Sequence, residues 1–385
     1  MCIVFWAEDH IPRYKLVLVS NRDEFFSRQT TAVHVWPRDH DGNGTGGHAQ
    51  AASVVLAGRD EAVPARGTWF GLNTSGRFCT LTNVRVPEQR AGMASRGALV
   101  ANYLRAGERT HDGGSAMRYL ERAVAPEYKR YNGFNLLCAD FGALPEDGTG
   151  NTRLCGGMHA FNNVPVQSPH GPKPGSRPLS PCAVGAGVHG VCNSTLDDDS
   201  WPKLRAAKES LRAMLAQCEP GEEIDPQRLF ALAGCNRRPP RNQLPSTGVT
   251  LAWERVLSSI FVHGPRFGYG TVSSAVLMVE HSGRVTFVER TFDQTSGDPA
   301  VHSERHFELM LPGCGAGMRA GAGAERVPRL VRDSGSRHVP GVDAASKLTA
   351  RARRALKRGA AAAACSDARE PERQPFEKQK RGKLK

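Results

Sequence analysis

Two strand-like runs open the chain, CIVFWA at residues 2–7 and YKLVLVS at residues 14–20, joined by the six-residue loop EDHIPR. Both are rich in β-branched and aromatic residues, and a loop this short joins them most simply as an antiparallel hairpin. With the loop centred near position 11, position 2 lies opposite about position 20. The next run, NRDEFFSR at residues 21–28, then emerges beside the chain's first residues. A turn needs only Gly, Asn or Pro, so four polar groups in a row, Asn21, Arg22, Asp23 and Glu24, have something to face. Side chains alternate along a strand. Asn21 and Asp23 therefore point one way, Arg22 and Glu24 the other, and one of these pairs shares a face with Cys2.

The body continues in the same manner. Strand-like runs recur at SVVLAG, TWFGLN, GRFCTLTN, YNGFNLLCAD, LSSIFVHG, TVSSAVLMVE, RVTFVERTF and ERHFELML, and VEHSGRVTF reads as a hairpin with a Ser-Gly turn. Helical spacing fits SRGALVANYLRAG, SAMRYLERAVA and WPKLRAAKESLRAMLAQC; in the last, Leu204, Leu211 and Leu215 share a face. LDDDS ahead of that helix reads as its N-terminal signal, with Ser200 as the cap. Many strands in hairpins with few helices between them predict an α+β domain of antiparallel sheets rather than βαβ units.

Charge separates the body from the tail. Of the net +13, residues 313–385 hold 18 Lys/Arg against 7 Asp/Glu, which leaves residues 1–312 near neutrality at +2. The domain is expected over residues 1–312, with irregular insertions at about 39–52 and 162–182. The basic, low-complexity segment 313–385 is expected to be disordered, with too few large apolar residues to form a core. It lacks interleaved aromatics, so nucleic acid is not an expected partner; peripheral contact with an anionic membrane is the alternative. The ten cysteines form no C-x-x-C pair and the histidines no H-E-x-x-H, so no metal site is expected. No run of 18 apolar residues is present and the N-terminus lacks a charged leader, so a membrane span is not expected and a reducing, cytoplasmic setting is.

Cys2 carries the chemistry. Removal of Met1 ahead of this small residue would leave a thiol of pKa about 8.5 and an α-amine of pKa about 7.7–8.0 on one carbon. The amine can then act as the thiol's own general base. Arg22 nearby favours the thiolate and can orient a carboxylate or carbonyl.

MCIVFW, NRDEFFSR, LAGRD, GTWFGLNTSGRFCTLTNVR, YNGFNLLCAD, HGVCNSTLDDDSWPKL and YGTVSSAVLMVEHSGRVTFVERTF follow one another in an order that resembles the transport and Golgi organization protein 2 family, also called the NRDE-motif family. The resemblance implies a four-layer αββα sandwich like that of N-terminal nucleophile hydrolases. It implies Cys2 at the nucleophile position, Arg22 beside it, and Asn83 and Asn193 as orienting or oxyanion amides. Asn21, Asp23, Glu24 and Arg290 are the further pocket residues. In the hydrolase branch the arginine and aspartate are separated, whereas Arg22 and Asp23 are adjacent here. The function implied is handling of haem or acyl-CoA lipids linked to Golgi organisation and secretion, non-enzymatic or weakly enzymatic, with haem as cargo and a Golgi or mitochondrial association. The alternative is a Cys2 amidohydrolase acting on non-peptide carbon–nitrogen bonds.

Overall fold

The first hairpin forms, and its strands run further into the loop than expected. In the computed structural model, strand β1 (Cys2–Ile11) pairs with β2 (Tyr14–Phe25), leaving Pro12 and Arg13 as the turn. A bulge lies between Glu8 and Ile11, where Asp9 takes a left-handed φ of 46°. The turn is centred between Pro12 and Arg13 rather than near position 11, and with the bulge's one-residue shift this sets Cys2 opposite Arg22 rather than position 20, and Ile3 opposite Asn21. The structure describes residues 2–37, 53–85, 89–105, 115–145, 152–164, 167–168, 171–172, 179–294, 298–312 and 328–334.

This hairpin is the centre of an antiparallel sheet. Gly187–Val191 flanks β1 on one side, and Tyr269–Glu280, Arg284–Asp293, Ala300–Met310 and Arg329–Asp333 follow β2 on the other. The second sheet runs Leu179–Ala183, Met158–Asn162, β7 (Phe134–Asp140), β6 (Arg77–Asn83), β5 (Phe70–Asn73), β4 (Val55–Asp60) and β3 (Thr30–Val35).

Alternation sorts the side chains into layers. Val4, Trp6, Leu16, Leu18, Leu277 and Phe287 of the first sheet pack against Leu56, Phe70, Phe78, Leu137 and Met158 of the second. The opposite face of the first sheet, with Ile3, Phe5, Val17 and Val19, is covered by helices Pro202–Leu215 and Pro226–Ala233. The outer face of the second, with Cys79, Leu81, Leu136 and Cys138, is covered by α1 (Gly97–Arg105) and the helical turns that follow Ser115. The result is the αββα sandwich of two antiparallel sheets. Two buried glutamates of the first sheet also stitch the layers together: Glu8 accepts the Met158 N–H, and Glu289 accepts the Val33 N–H at 2.6 Å.

Four local expectations are corrected. LSSIFVHG is not a strand along its length. Helix Leu251–Leu257 occupies its start, capped by the Thr250 hydroxyl accepting from Trp253, and only His263–Gly264 pairs, with Tyr269 and Gly270. Ser200 does not cap the helix that begins at Pro202; Trp201 holds the cap position, and the Ser200 hydroxyl turns to Asp198. The first sheet continues past residue 312, since Arg329–Asp333 pairs with Ala300–Met310. Within the stretch 162–182, Leu179–Ala183 is an edge strand against Met158–Asn162. The chain divides into one unit over Met1–Ser336 and another over Arg337–Lys385. The second unit, which is most of the segment expected to be disordered, lies outside the described residues, as does the insertion at 39–52.

Candidate functional site

At Ser20 strand β2 changes from apolar to polar while it is still buried. Leu16 and Leu18 face the space between the sheets, and alternation carries Arg22 and Glu24 onto the same face. There the apolar filling gives way to a cleft of about 460 Å³. Cys2, Arg22, Asp23, Glu24 and Asn83 line it, joined by Arg28, Asp60, Trp69, Leu81 and Arg96. Residues of both sheets and of the segment leading into α1 therefore meet at one end of the sandwich.

Cys2 is 7% exposed. Burial pushes its thiol up and the nearby Asp23 carboxylate adds to that, while the Arg22 charge and a hydrogen bond from the Asp23 N–H favour the thiolate. The Arg22 guanidinium stacks 4.2 Å from the Trp69 ring centroid and lies 3.8 Å from Glu24 Oε2. Glu24 is shared with Arg28 at 3.6 Å, and Arg28 grips Asp60 through two bonds of 2.6 and 3.2 Å. Asp23 turns its side chain to the neighbouring strand, where its Oδ1 accepts from the Thr271 hydroxyl at 2.7 Å. Burial holds the Asp23 carboxyl above its ordinary value, opposed by the positive charge of Lys203.

The remaining residues expected at the site are placed differently. Asn83 lines the cleft at the end of β6, and its main-chain oxygen accepts the Asn193 side-chain amide at 2.9 Å. Asn193 is buried and does not itself line the cleft; its Oδ1 accepts from Lys203 Nζ at 3.3 Å, so it acts as a brace behind Asn83. Asn21 is not a pocket residue. Alternation turns it to the helix-covered face, where its amide donates to the Ala233 and Ile260 carbonyls and accepts from Ser274. Arg290 is also elsewhere, over the Phe230 ring at 4.0 Å and paired with Glu304 at 2.6 Å. Among the described residues no group of three or more His, Cys, Asp or Glu could hold a metal ion.

The family model described as transport and Golgi organisation 2 matches residues 1–294. The chain belongs to this family. A homologue of transport and Golgi organization protein 2 from Bos taurus is 30% identical over 320 residues, covering 79% of this chain and 99% of its own length. The Drosophila melanogaster protein is 26% identical over 324 residues, covering 80% and 99%. Among solved structures, a penicillin V acylase from Agrobacterium tumefaciens resembles the chain at a TM-score of 0.37 and 13% identity, covering 80% of this chain and 86% of that one. Among the described residues no helix is long and apolar enough to cross a membrane.

In this family member Arg28, Asp60, Trp69 and Arg96 complete the cleft, and the residue-by-residue reading of the motifs missed them as a set. Arg28 belongs to NRDEFFSR, where its distance from Arg22 could have suggested a second cation at the strand's end. Trp69 reads as core by composition and does pack against the core between the sheets, but it also lines the cleft, where Arg22 stacks on it. Arg96 carries no sequence signal beyond its place ahead of a helix.

Proposed function

We propose that the cleft is a thiol-dependent amide-cleaving site with Cys2 as its nucleophile. The observation that carries the reading is the meeting of Cys2, Arg22, Asp23 and Asn83 in one cleft at the open end of the first hairpin. With Met1 removed, the Cys2 amine takes the thiol proton and the sulfur attacks an amide carbonyl. The C–N bond breaks, the amine leaves with that proton, and water then hydrolyses the thioester. Arg22 and the Asp23 N–H favour the thiolate against the effect of burial. Asn83, with its strand end braced by Asn193, is the side-chain amide nearest in role to an oxyanion donor. Intact mass tests the reading. The chain should be lighter by one methionine and gain an acyl group from a thiol-reactive acyl donor, and Cys2→Ala should gain none. Retained Met1, or equal acylation of Cys2→Ala, refutes it.

A second reading, handling of acyl-CoA or haem in connection with Golgi organisation and secretion, is favoured by one surface feature. Phe25, 50% exposed, follows Glu24 and packs on Tyr269, which in turn contacts Trp253; Trp253 touches Phe267, 44% exposed. These rings offer an apolar patch beside the motif. On this reading, binding of palmitoyl-CoA or haemin survives Cys2→Ala within about tenfold, a change of no more than about 1.4 kcal/mol.

A further inference from the structure

The charges in the cleft do not pair off evenly. Asp60 is taken by Arg28 through two bonds, and Glu24 lies 3.8 Å from Arg22 and 3.6 Å from Arg28. Arg96 is half-buried in the same cleft, and the one hydrogen bond of its side chain among the described residues is from Nη1 to the Gly133 carbonyl at 2.9 Å. No Asp or Glu of the described residues forms an ion pair with it. Burial disfavours its charged form, and its charge is coupled most strongly to Cys2 and then to Glu24.

A half-buried guanidinium without a carboxylate keeps an electrostatic demand that a ligand can satisfy. The fork of an arginine suits a carboxylate or a phosphate, both of which offer paired oxygens. Gly97, the first residue of α1, also lines the cleft, so the positive end of that helix adds to the field around Arg96. We propose that Arg96 is the anion-recognition residue of this cleft, and that the amide attacked at Cys2 belongs to an acidic molecule bearing a carboxylate or phosphate. The location of the scissile bond rests on the reading of Cys2 as nucleophile; the anion subsite does not.

Two measurements on the full chain test this and keep the two ideas apart. The first compares labelling of Cys2 by iodoacetate and by iodoacetamide, which differ in charge but not in the bond they form. In the unsubstituted protein the anionic reagent should be favoured, and Arg96→Gln should lower the iodoacetate-to-iodoacetamide ratio about tenfold, the scale of electrostatic focusing in a charged cleft. Arg96→Lys keeps the charge without the fork and should restore most of the ratio; it also serves if Arg96→Gln fails to fold once its bond to Gly133 is lost. The second follows thermal unfolding with inorganic phosphate and with acetate, each against chloride at matched ionic strength. Stabilisation by either anion that is lost in Arg96→Gln and partly kept in Arg96→Lys supports the subsite, and the more effective anion names its chemistry. An unchanged labelling ratio together with equal anion effects in all three proteins overturns it. If Cys2 takes neither reagent while anion binding still depends on Arg96, the subsite stands and the nucleophile reading falls.

Discussion

Replacing Glu289 with glutamine probes the join between the two sheets directly behind the cleft. Glu289 is 3% exposed and lies opposite Arg305 on the adjacent strand. Its carboxylate accepts the Val33 N–H of β3, while Arg305 Nη1 donates to the Val33 carbonyl at 2.9 Å. Burial raises its pKa to about 7 from an ordinary 4.5, against the pull of the Val33 N–H, of Arg305 and Arg22, and of a hydrogen bond with Ser273. The folded protein therefore holds this proton until about pH 7, whereas the unfolded chain releases it near 4.5. Between those values the native state binds the extra proton, so stability falls as pH rises and levels off above about 7. At about 1.4 kcal/mol for each tenfold change in proton affinity, the full effect is about 3 kcal/mol, of which about 2–3 kcal/mol lies between pH 5 and 8.

Glutamine keeps an acceptor for the Val33 N–H and has nothing to ionise. Urea unfolding followed by tryptophan fluorescence should show Glu289→Gln gaining about 2–3 kcal/mol on the unsubstituted protein as pH goes from 5 to 8, whatever their offset at pH 5. Taking the difference between the two proteins cancels the titration of every other group they share. Parallel profiles would refute the reasoning. A difference of opposite sign would mean that Arg22 and Arg305 hold the carboxylate ionised more strongly than burial opposes it.

Two further outcomes follow from the packing around the same residues. Arg22→Ala removes a cation beside the Cys2 thiol, so the thiol should titrate higher and alkylation by iodoacetamide at pH 7.5 should slow about tenfold; an unchanged rate would mean that Arg22 does not act on the sulfur. Phe287→Ala empties a fully buried site between the sheets, where the ring lies 5.3 Å from that of Phe70. It should cost about 3–5 kcal/mol in urea unfolding, and a loss below about 1 kcal/mol would show that the sheets close over the gap.

Much of the architecture was legible because it rests on short-range pattern. Alternating apolar residues place β1, β2, β6, β7 and the long strands from Tyr269 to Met310, and the loops between many of them are too short for anything but hairpins. The Leu204, Leu211 and Leu215 stripe is buried as its spacing implies. What was not legible depends on contacts far apart in the chain. Helix Leu251–Leu257 runs up to the first residue of an apolar run, and its buried Glu254 is held by Arg85, at 2.6 Å and 169 residues away. The edge strands Thr30–Val35 and Arg329–Asp333 carry weak patterns of their own and are held by their neighbours. Arg96 and Asp60 reach the cleft from the second sheet and the segment before α1, so no motif spacing could have put them beside Cys2. Arg290 shows the converse. It lies within a run resembling the family's motif, and alternation still carries it to the helix-covered face.

The adjacency of Arg22 and Asp23 is where sequence reasoning was both right and incomplete. Alternation does point the two side chains apart: the guanidinium lies in the cleft against Trp69, and the carboxyl turns to the Thr271 hydroxyl. That alone would remove Asp23 from any chemistry at Cys2. A strand residue, however, offers its main chain as well as its side chain, and the Asp23 N–H donates to the Cys2 sulfur. The carboxyl is close enough for its charge to oppose the thiolate, so its own protonation sets the sign of its effect. Burial keeps that carboxyl protonated to higher pH than usual, which lessens the opposition as pH falls. Adjacent residues thus act on the same thiol from the two faces of one strand, the arginine through its side chain and the aspartate chiefly through its backbone. A substitution that preserves the backbone, Asp23→Asn, is therefore expected to raise thiolate reactivity rather than abolish it.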